Sequence, residues 1–338
     1  MTPAELGYKM PPEWVEHQRT FMEWPVKEAD WPEPFEAVLP AFAAIAKAIA
    51  QFEPVTVLAN PHLTEEATRF CGPGIEILPI EHNDSWMRDN GPTFLLNEQG
   101  KLAGINWIFN AWGGKFPSKL DNMVASKLLQ HIQIPCFDAP LVMEGGSVHV
   151  DGEGTLLTTA ECLLNPNRNP GLTRAEIESY LKQYLNAAKV IWLNRGWTGD
   201  DTDGHIDNIV CFAKPRVIIT QVCSDPKDPN YEISQENLGI LKKTADAKGR
   251  SFKIIEIEQP PAAYYAGLRL TLSYLNFYFV NAGIILPFFG NEPTDKAAYT
   301  ILQEIFPDRK IVTVDGLTIA RGGGNVHCLT QQMPAEKR

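Results

Sequence analysis

One rhythm constrains this chain more than any single motif. Two short apolar runs, an amphipathic run and another apolar run recur along most of its 338 residues. Alternating or β-branched runs bounded by Gly, Asn and Pro read as strands, and apolar residues at helical spacing read as helices. A helix is expected over 35–52 with a strand over 54–59, then a short helix over 64–70 and a strand over 75–80. A helix over 121–132 precedes a strand over 134–137. Strands over 147–151 and 155–158 flank the turn Asp151-Gly152-Glu153-Gly154. They lead to a helix over 173–185 and a strand over 189–193. Thr173 and Glu176 have the spacing of a capping box. Strands over 206–212 and 217–222 lead to a helix over 234–248 and a strand over 251–257. Strands over 274–280 and 283–287 lead to a helix over 295–305 and a strand over 311–314. Before residue 35, Pro25, Pro32 and Pro34 exclude a helix.

Polar or glycine-rich stretches punctuate the units. Asp89, Glu144, His205, Asn276 and Cys328 mark them, at separations of 55, 61, 71 and 52 residues. Such spacing predicts a diverged internal repeat. A ring of similar modules would follow, each giving residues to one central cleft. The alternative is an ordinary mixed α/β domain with coincidental spacing.

Composition narrows the function classes. A net charge of -11 argues against a protein that binds nucleic acid by neutralising phosphates, and is compatible with a small cationic substrate. The longest apolar stretch, near 284–289, is too short for a membrane span. No basic-then-apolar leader opens the sequence, so a cytoplasmic protein is expected. The six cysteines form no C-x-x-C pair, which suggests reduced thiols. Cys71, Cys136, Cys162, Cys211 and Cys223 are expected as small buried hydrophobes.

Four stretches could carry chemistry. In Arg321-Gly322-Gly323-Gly324-Asn325-Val326-His327-Cys328, consecutive glycines imply close backbone contact or positive φ. A strand is expected to start at Val326, with Cys328 a candidate nucleophile. Trp86 to Pro92 sets Asp89 before a Gly-Pro turn, where it could enter a cleft and bind a cation or be an ordinary charge. Glu144 stands directly before a double glycine and could line a pocket, while His149 and Asp151 would share a strand face. Thr198 to Asn208 holds Asp200, Asp201, Asp203, His205 and Asp207. On an extended backbone His205 and Asp207 face the same way, and a histidine among carboxylates tends to keep its proton. Asp200, Asp201 and Asp203 could equally be solvated or cap a turn.

Two chemistries compete. The H-x-D pairs His149/Asp151 and His205/Asp207 could hold a metal that polarises water. Alternatively, Cys328 attacks and His205 serves as acid and base. The covalent reading also explains the glycine turn and the convergence of carboxylates on a cation. A non-catalytic polyamine-binding protein is the remaining alternative.

The motifs then point further. They are Trp24-Pro25, Trp86 to Pro92, Ala111 to Lys115, Glu144 to Thr155, Glu161 to Asn165, Asp203 to Asn208, Asp225-Pro226 with Tyr231-Glu232, Ser273 to Tyr278, and Gly322 to Gln332. Together, in this order, the chain resembles the agmatine deiminases of the guanidine-modifying superfamily, near relatives of bacterial peptidyl-arginine deiminases. The resemblance implies a five-fold pseudosymmetric α/β propeller of strand-strand-helix-strand modules around a central cleft, one catalytic domain over 1–338. It implies hydrolysis of agmatine to N-carbamoylputrescine and ammonia, without metal or organic cofactor, in putrescine biosynthesis. By the same resemblance Cys328 matches the nucleophile and His205 the acid and base. Asp89 and Asp207 match the carboxylates that grip the guanidinium group, and Glu144 the carboxylate that orients substrate and histidine. Trp86 matches a pocket wall, and Trp112 and Gly323 complete the substrate-binding set. Asp201 stands where these enzymes often carry Glu near the distal amine, and Asn90 replaces a common Thr. Asp200, Asp201 and Asp203, with no basic pair nearby, favour a substrate ending in ammonium over free or peptidyl arginine. A homodimer or higher homo-oligomer fits such an enzyme.

Overall fold

Five small sheets carry the fold, four of them three-stranded and one four-stranded. The computed structural model describes residues 1–337 except 28, 30, 32 and 33, so Pro32 of the proline-rich opening lies outside the described residues. The second module has strands Thr93–Leu96, Leu102–Ile108 and Cys136–Val142. The third has His149–Val150, Thr155–Thr159 and Lys189–Leu193. The fourth has Val210–Lys214, Val217–Val222 and Lys253–Glu258. The fifth has Tyr278–Val280, Gly283–Phe288 and Lys310–Asp315. In each, the middle strand runs antiparallel to the first and parallel to the last. A helix makes each parallel crossover: Val124–His131, Arg174–Leu185, Asn230–Lys243 and Glu292–Ile305.

The first module draws on both ends of the sequence. Gln331–Pro334 lies antiparallel to His17–Glu23, which is parallel to Val55–Ala59, which is parallel to Glu76–Pro79. Its crossover helix, Val38–Ile49, buries Val38, Leu39, Phe42, Ile45 and Ile49. Burial of each large side chain of this kind contributes about 1.5–3 kcal/mol. The expected ring of repeated modules is therefore present.

Burial grades from the first strand of a module to the last. Val210–Lys214, Tyr278–Val280 and Gln331–Pro334 are buried almost throughout, whereas Lys253–Glu258 and Lys310–Asp315 are mostly exposed or half-buried. First strands of different modules touch: Gln331–Pro334 meets Thr93–Leu96, and His149–Val150 meets Val210–Lys214. The first strands thus form the inner wall. Among the described residues no helix is long and apolar enough to cross a membrane.

Several expected elements moved, each for a local reason. The helix expected over 234–248 runs Asn230–Lys243. Pro229 pre-sets its entry, and Asp246 accepts hydrogen bonds from the N–H groups of Lys248 and Arg250, a turn that competes with helix. No strand starts at Val326. Leu329 N–H donates to Asn325 and Thr330 N–H to His327, a helical turn, and pairing begins at Gln331. Residues 206–208 form a 3-10 turn instead of extended chain, and the strand expected over 274–280 is confined to Tyr278–Val280. The strand expected over 134–137 is Cys136–Val142. His17–Glu23, Thr93–Leu96, Leu102–Ile108 and a hairpin of Tyr264–Tyr265 and Leu268–Arg269 were not foreseen. All six cysteines are free, but Cys136 is exposed, because it opens an outer strand with little packed over it.

Candidate active site

The repeat markers now have a physical meaning. Asp89 lies just before Thr93–Leu96, Glu144 before His149–Val150, His205 and Asp207 before Val210–Lys214, Asn276 before Tyr278–Val280, and Cys328 before Gln331–Pro334. Each precedes the innermost strand of its module, so the five segments meet at the axis.

Gly146 is where they converge. A Cβ there would lie 2.7 Å from His205 Nδ1, 2.9 Å from Asp207 Oδ2 and 2.9 Å from Asp89 Oδ1. Its N–H donates to Asp89 Oδ1 at 3.0 Å. Gly145 is as tightly held, since a Cβ would meet the Arg88 carbonyl oxygen at 2.1 Å. The double glycine is thus required by close approach of three charged side chains and a neighbouring backbone.

His205 stands between two carboxylates. Nδ1 is 3.7 Å from Asp89 Oδ1 and Nε2 is 3.7 Å from Glu144 Oε2. Both ring nitrogens are buried without a hydrogen-bond partner, as is Asp207 Oδ1. Burial alone would push the imidazole pKa down, but Asp89, Cys162 and Glu144 outweigh it and hold it well above the usual histidine range. For Glu144, burial pushes the carboxyl up, but His205 and Arg168 bring it below the usual range. Burial pushes Asp89 up.

Cys328 Sγ lies 3.7 Å from Asp207 Oδ2 and accepts from Asn276 Nδ2 at 3.2 Å. Asn276 Oδ1 also accepts the N–H groups of His327, at 3.0 Å, and Cys328, at 3.3 Å. The thiol is therefore fixed on its turn by one asparagine, itself held by Asn208 at 3.0 Å. Burial, then Asp207 and Asp89, push the thiol well above its ordinary pKa.

A cavity of about 200 Å³ opens above these groups. Trp86, Trp112, Asp201 and Gly323 line it, with Asp89 and Cys328 at its floor. Trp86 stacks on Trp31 at 5.2 Å and 18°. Trp112 adopts φ 53°, a left-handed conformation uncommon for a bulky residue, and its indole N–H donates to Asp89 Oδ2 at 2.9 Å. Six of the nine expected site residues thus line this cleft, and Glu144, His205 and Asp207 lie buried behind its floor.

Two expectations need correction. The two H-x-D pairs do not share a point. Asp151 accepts the N–H groups of Glu153 and Thr155 in its turn, and His149 faces Glu13 at 3.6 Å. Glu144, Cys162 and His205, a different set, lie close enough to hold an ion; Glu144 turns Oε2 to the other two and pairs its Oε1 with Arg168 Nε at 2.8 Å. Nor is the acidic loop free of basic partners. Asp203 binds Lys115 at 2.7 Å and Arg168 at 2.5 Å, and Asp200 accepts from Thr202. Of the three aspartates only Asp201 lines the cavity, and Arg269 and Arg321 line it too. Arg269 is paired with Asp228 at 2.7 Å.

Three supporting residues escaped sequence reasoning. Asn276 was visible as a repeat marker but suggested no role. Cys162 was expected only as a buried hydrophobe and Arg168 gave no signal, because only the fold brings them against Glu144.

Fold and site together define a cysteine-centred protein of the guanidine-modifying α/β propeller class. Residues 9–334 match the model of the Porphyromonas-type peptidyl-arginine deiminase family. A relative from Legionella pneumophila (strain Paris) is 51% identical over 335 residues, covering 98% of this chain and 97% of its own. The agmatine deiminase of Pseudomonas savastanoi pv. phaseolicola is 43% identical over 359 residues, covering 99% and 97%. The structure of the Enterococcus faecalis agmatine deiminase superposes with a TM-score of 0.94 at 37% identity, covering 98% and 97%. The chain belongs to the agmatine deiminase family, within the wider peptidyl-arginine deiminase group.

Proposed function

We propose that residues 1–338 act as one catalytic domain that hydrolyses agmatine to N-carbamoylputrescine and ammonia. The observation that carries this reading is the convergence on Gly146 of His205, Asp207 and Asp89, drawn from two modules, with Cys328 of a third alongside.

Asp89 and Asp207 grip the flat guanidinium cation by charge-assisted hydrogen bonds and fix its plane. Cys328 thiolate attacks the central carbon, forming a C–S bond. The His205 imidazolium gives its proton to one amino group, the C–N bond breaks, and ammonia leaves. The thiouronium intermediate remains on sulfur. Neutral His205, oriented by Glu144, then takes a proton from water as hydroxide adds to the same carbon. Collapse breaks the C–S bond and returns the thiolate. The hydroxyl proton of the collapsing adduct passes to solvent, where the ammonia released earlier takes it up, so guanidinium and water become a ureido group and ammonium. The side chains named supply the other proton transfers.

In this reading Asp201, which lines the cavity, takes the substrate's ammonium end. An ammonia-release assay over agmatine, arginine and a blocked arginyl peptide tests the reading. Release from agmatine alone is expected, and equal release from arginine would overturn the substrate assignment. Arg321, which lies over the Tyr265 ring at 5.4 Å, is the group that a carboxylate-bearing substrate would use.

A further inference from the structure

We infer that His327 is a positioning residue, locked as an imidazolium between Glu13 and Asp207, and that this clamp aims Asp207 and readies the Cys328 thiol. The inference rests on the roles just given to Asp207 and Cys328.

The geometry is a buried chain of three side chains. His327 Nδ1 is 2.9 Å from Asp207 Oδ2, and Nε2 is 2.8 Å from Glu13 Oε1. All three residues are at most 3% exposed. A neutral imidazole has one N–H and one lone pair, so it can donate to only one of two carboxylates. The other contact would set a lone pair against an anionic oxygen in a site where water cannot screen it. With both carboxyls ionised, both contacts are favourable only when both ring nitrogens carry protons.

The surroundings fit that state. Glu13 also faces Arg88 at 3.5 Å and His149 at 3.6 Å. Burial opposes its charge, but His327, Arg88 and His149 hold its carboxyl well below the usual range. A small space of about 10 Å³ beside Asp207 is also lined by Glu13, His149, Cys211 and His327. Among the described residues the charged and titratable groups around His327 are therefore Glu13, Asp207, Arg88, His149, Cys211 and, through the turn, Cys328. Burial and Arg88 disfavour the imidazolium, while Glu13 and Asp207 prevail, and its pKa is raised.

Two consequences follow for the reaction. Asp207 has one oxygen tied to His327 and the other, Oδ1, buried and without a partner, ready for a guanidinium N–H. The imidazolium also offsets the negative charge that Asp207 places 3.7 Å from the sulfur. Glu13 reaches the thiol's turn through this chain and also through Arg88, whose backbone N–H donates to the Cys328 carbonyl at 3.1 Å.

The test uses the full-length enzyme. Wild type must first release ammonia from agmatine; if it does not, the catalytic reading fails before this one is reached. In a folded, cooperatively melting Glu13→Gln variant, the pH profile for iodoacetamide alkylation of Cys328 should move to higher pH by about one unit. kcat/KM should fall about ten- to hundred-fold, and Glu13→Asp should restore part of both. A folded Glu13→Gln enzyme with the wild-type alkylation profile would overturn the proposal. Nitrogen-15 shifts of the His327 ring in wild-type enzyme at neutral pH give a readout independent of any variant. Two protonated nitrogens are expected, and a neutral tautomer would overturn the clamp.

Discussion

The two ends of the cleft are built on opposite principles. At the floor, Asp89, Glu144, His205, Asp207 and Cys328 are all at most 4% exposed. Buried polar atoms there, both His205 nitrogens and Asp207 Oδ1, lack partners. An unpaired buried acceptor is costly, so a bound guanidinium whose N–H meets Asp207 Oδ1 offsets a cost already present, while the two His205 N–H groups stay free to donate. At the rim, Asp201 is exposed, and the hairpin turns Tyr264 and Leu268, 66% and 72% exposed, toward water. Ion pairs in water contribute about 0–1 kcal/mol. In the proposed mechanism the chemistry therefore sits in the interior and the ammonium end meets only the exposed edge, so a changed rim is expected to leave the reaction intact.

This contrast can be broken in stages. Cys328→Ala should abolish ammonia release while agmatine binding stays measurable by calorimetry; retained turnover would remove the thiol from the reaction. Gly146→Ala should follow, because its Cβ would displace three groups at once; about a hundred-fold loss in kcat/KM is expected from such a shift. Asp89→Asn should cost about ten- to a hundred-fold, from the loss of a charge-assisted contact. Asn90→Thr should cost far less, because Asn90 turns away to Glu23 at 2.9 Å. Equal losses for the two would deny a cation grip. The pH–rate profile offers a further check. Turnover needs a thiolate, favoured as pH rises, and an imidazolium, lost as pH rises. Both Cys328 and His205 are shifted upward, so the bell in kcat/KM should centre above pH values set by ordinary thiol and imidazole groups. A centre on the acid side would contradict that balance. Asp201→Ala should be the mildest, raising KM for agmatine about five-fold with kcat unchanged. A large fall in kcat would place the rim inside the chemistry.

Much of this architecture was legible because it repeats. The same strand-strand-helix-strand pattern recurs, and the markers fall in equivalent places before the inner strands. What escaped the sequence depended on contacts between distant segments. The turn carrying Cys328 looked like a strand because Val326 and Cys328 alternate with polar residues. It is helical because Asn276, from the preceding module, takes two of its N–H groups. Likewise Asp200, Asp201 and Asp203 read as one acidic cluster, but Arg168 and Lys115 reach Asp203 from other modules and leave only Asp201 for the cavity. Among the proposed site residues Cys328, His205, Asp89, Asp207 and Glu144 stood out by their chemistry, whereas Trp86, Trp112 and Gly323 rested on the family resemblance. Asn276 and Arg168, which hold them in place, carry chemistry that is common anywhere.

The pairing of Gln331–Pro334 with His17–Glu23 has a consequence for biosynthesis. On the ribosome, the acidic and histidine groups are made long before Cys328. The sulfur reaches them only when the final strand docks beside one of the first. A nascent chain therefore carries no assembled reaction centre, and reactivity arrives with the seam that locks the circle.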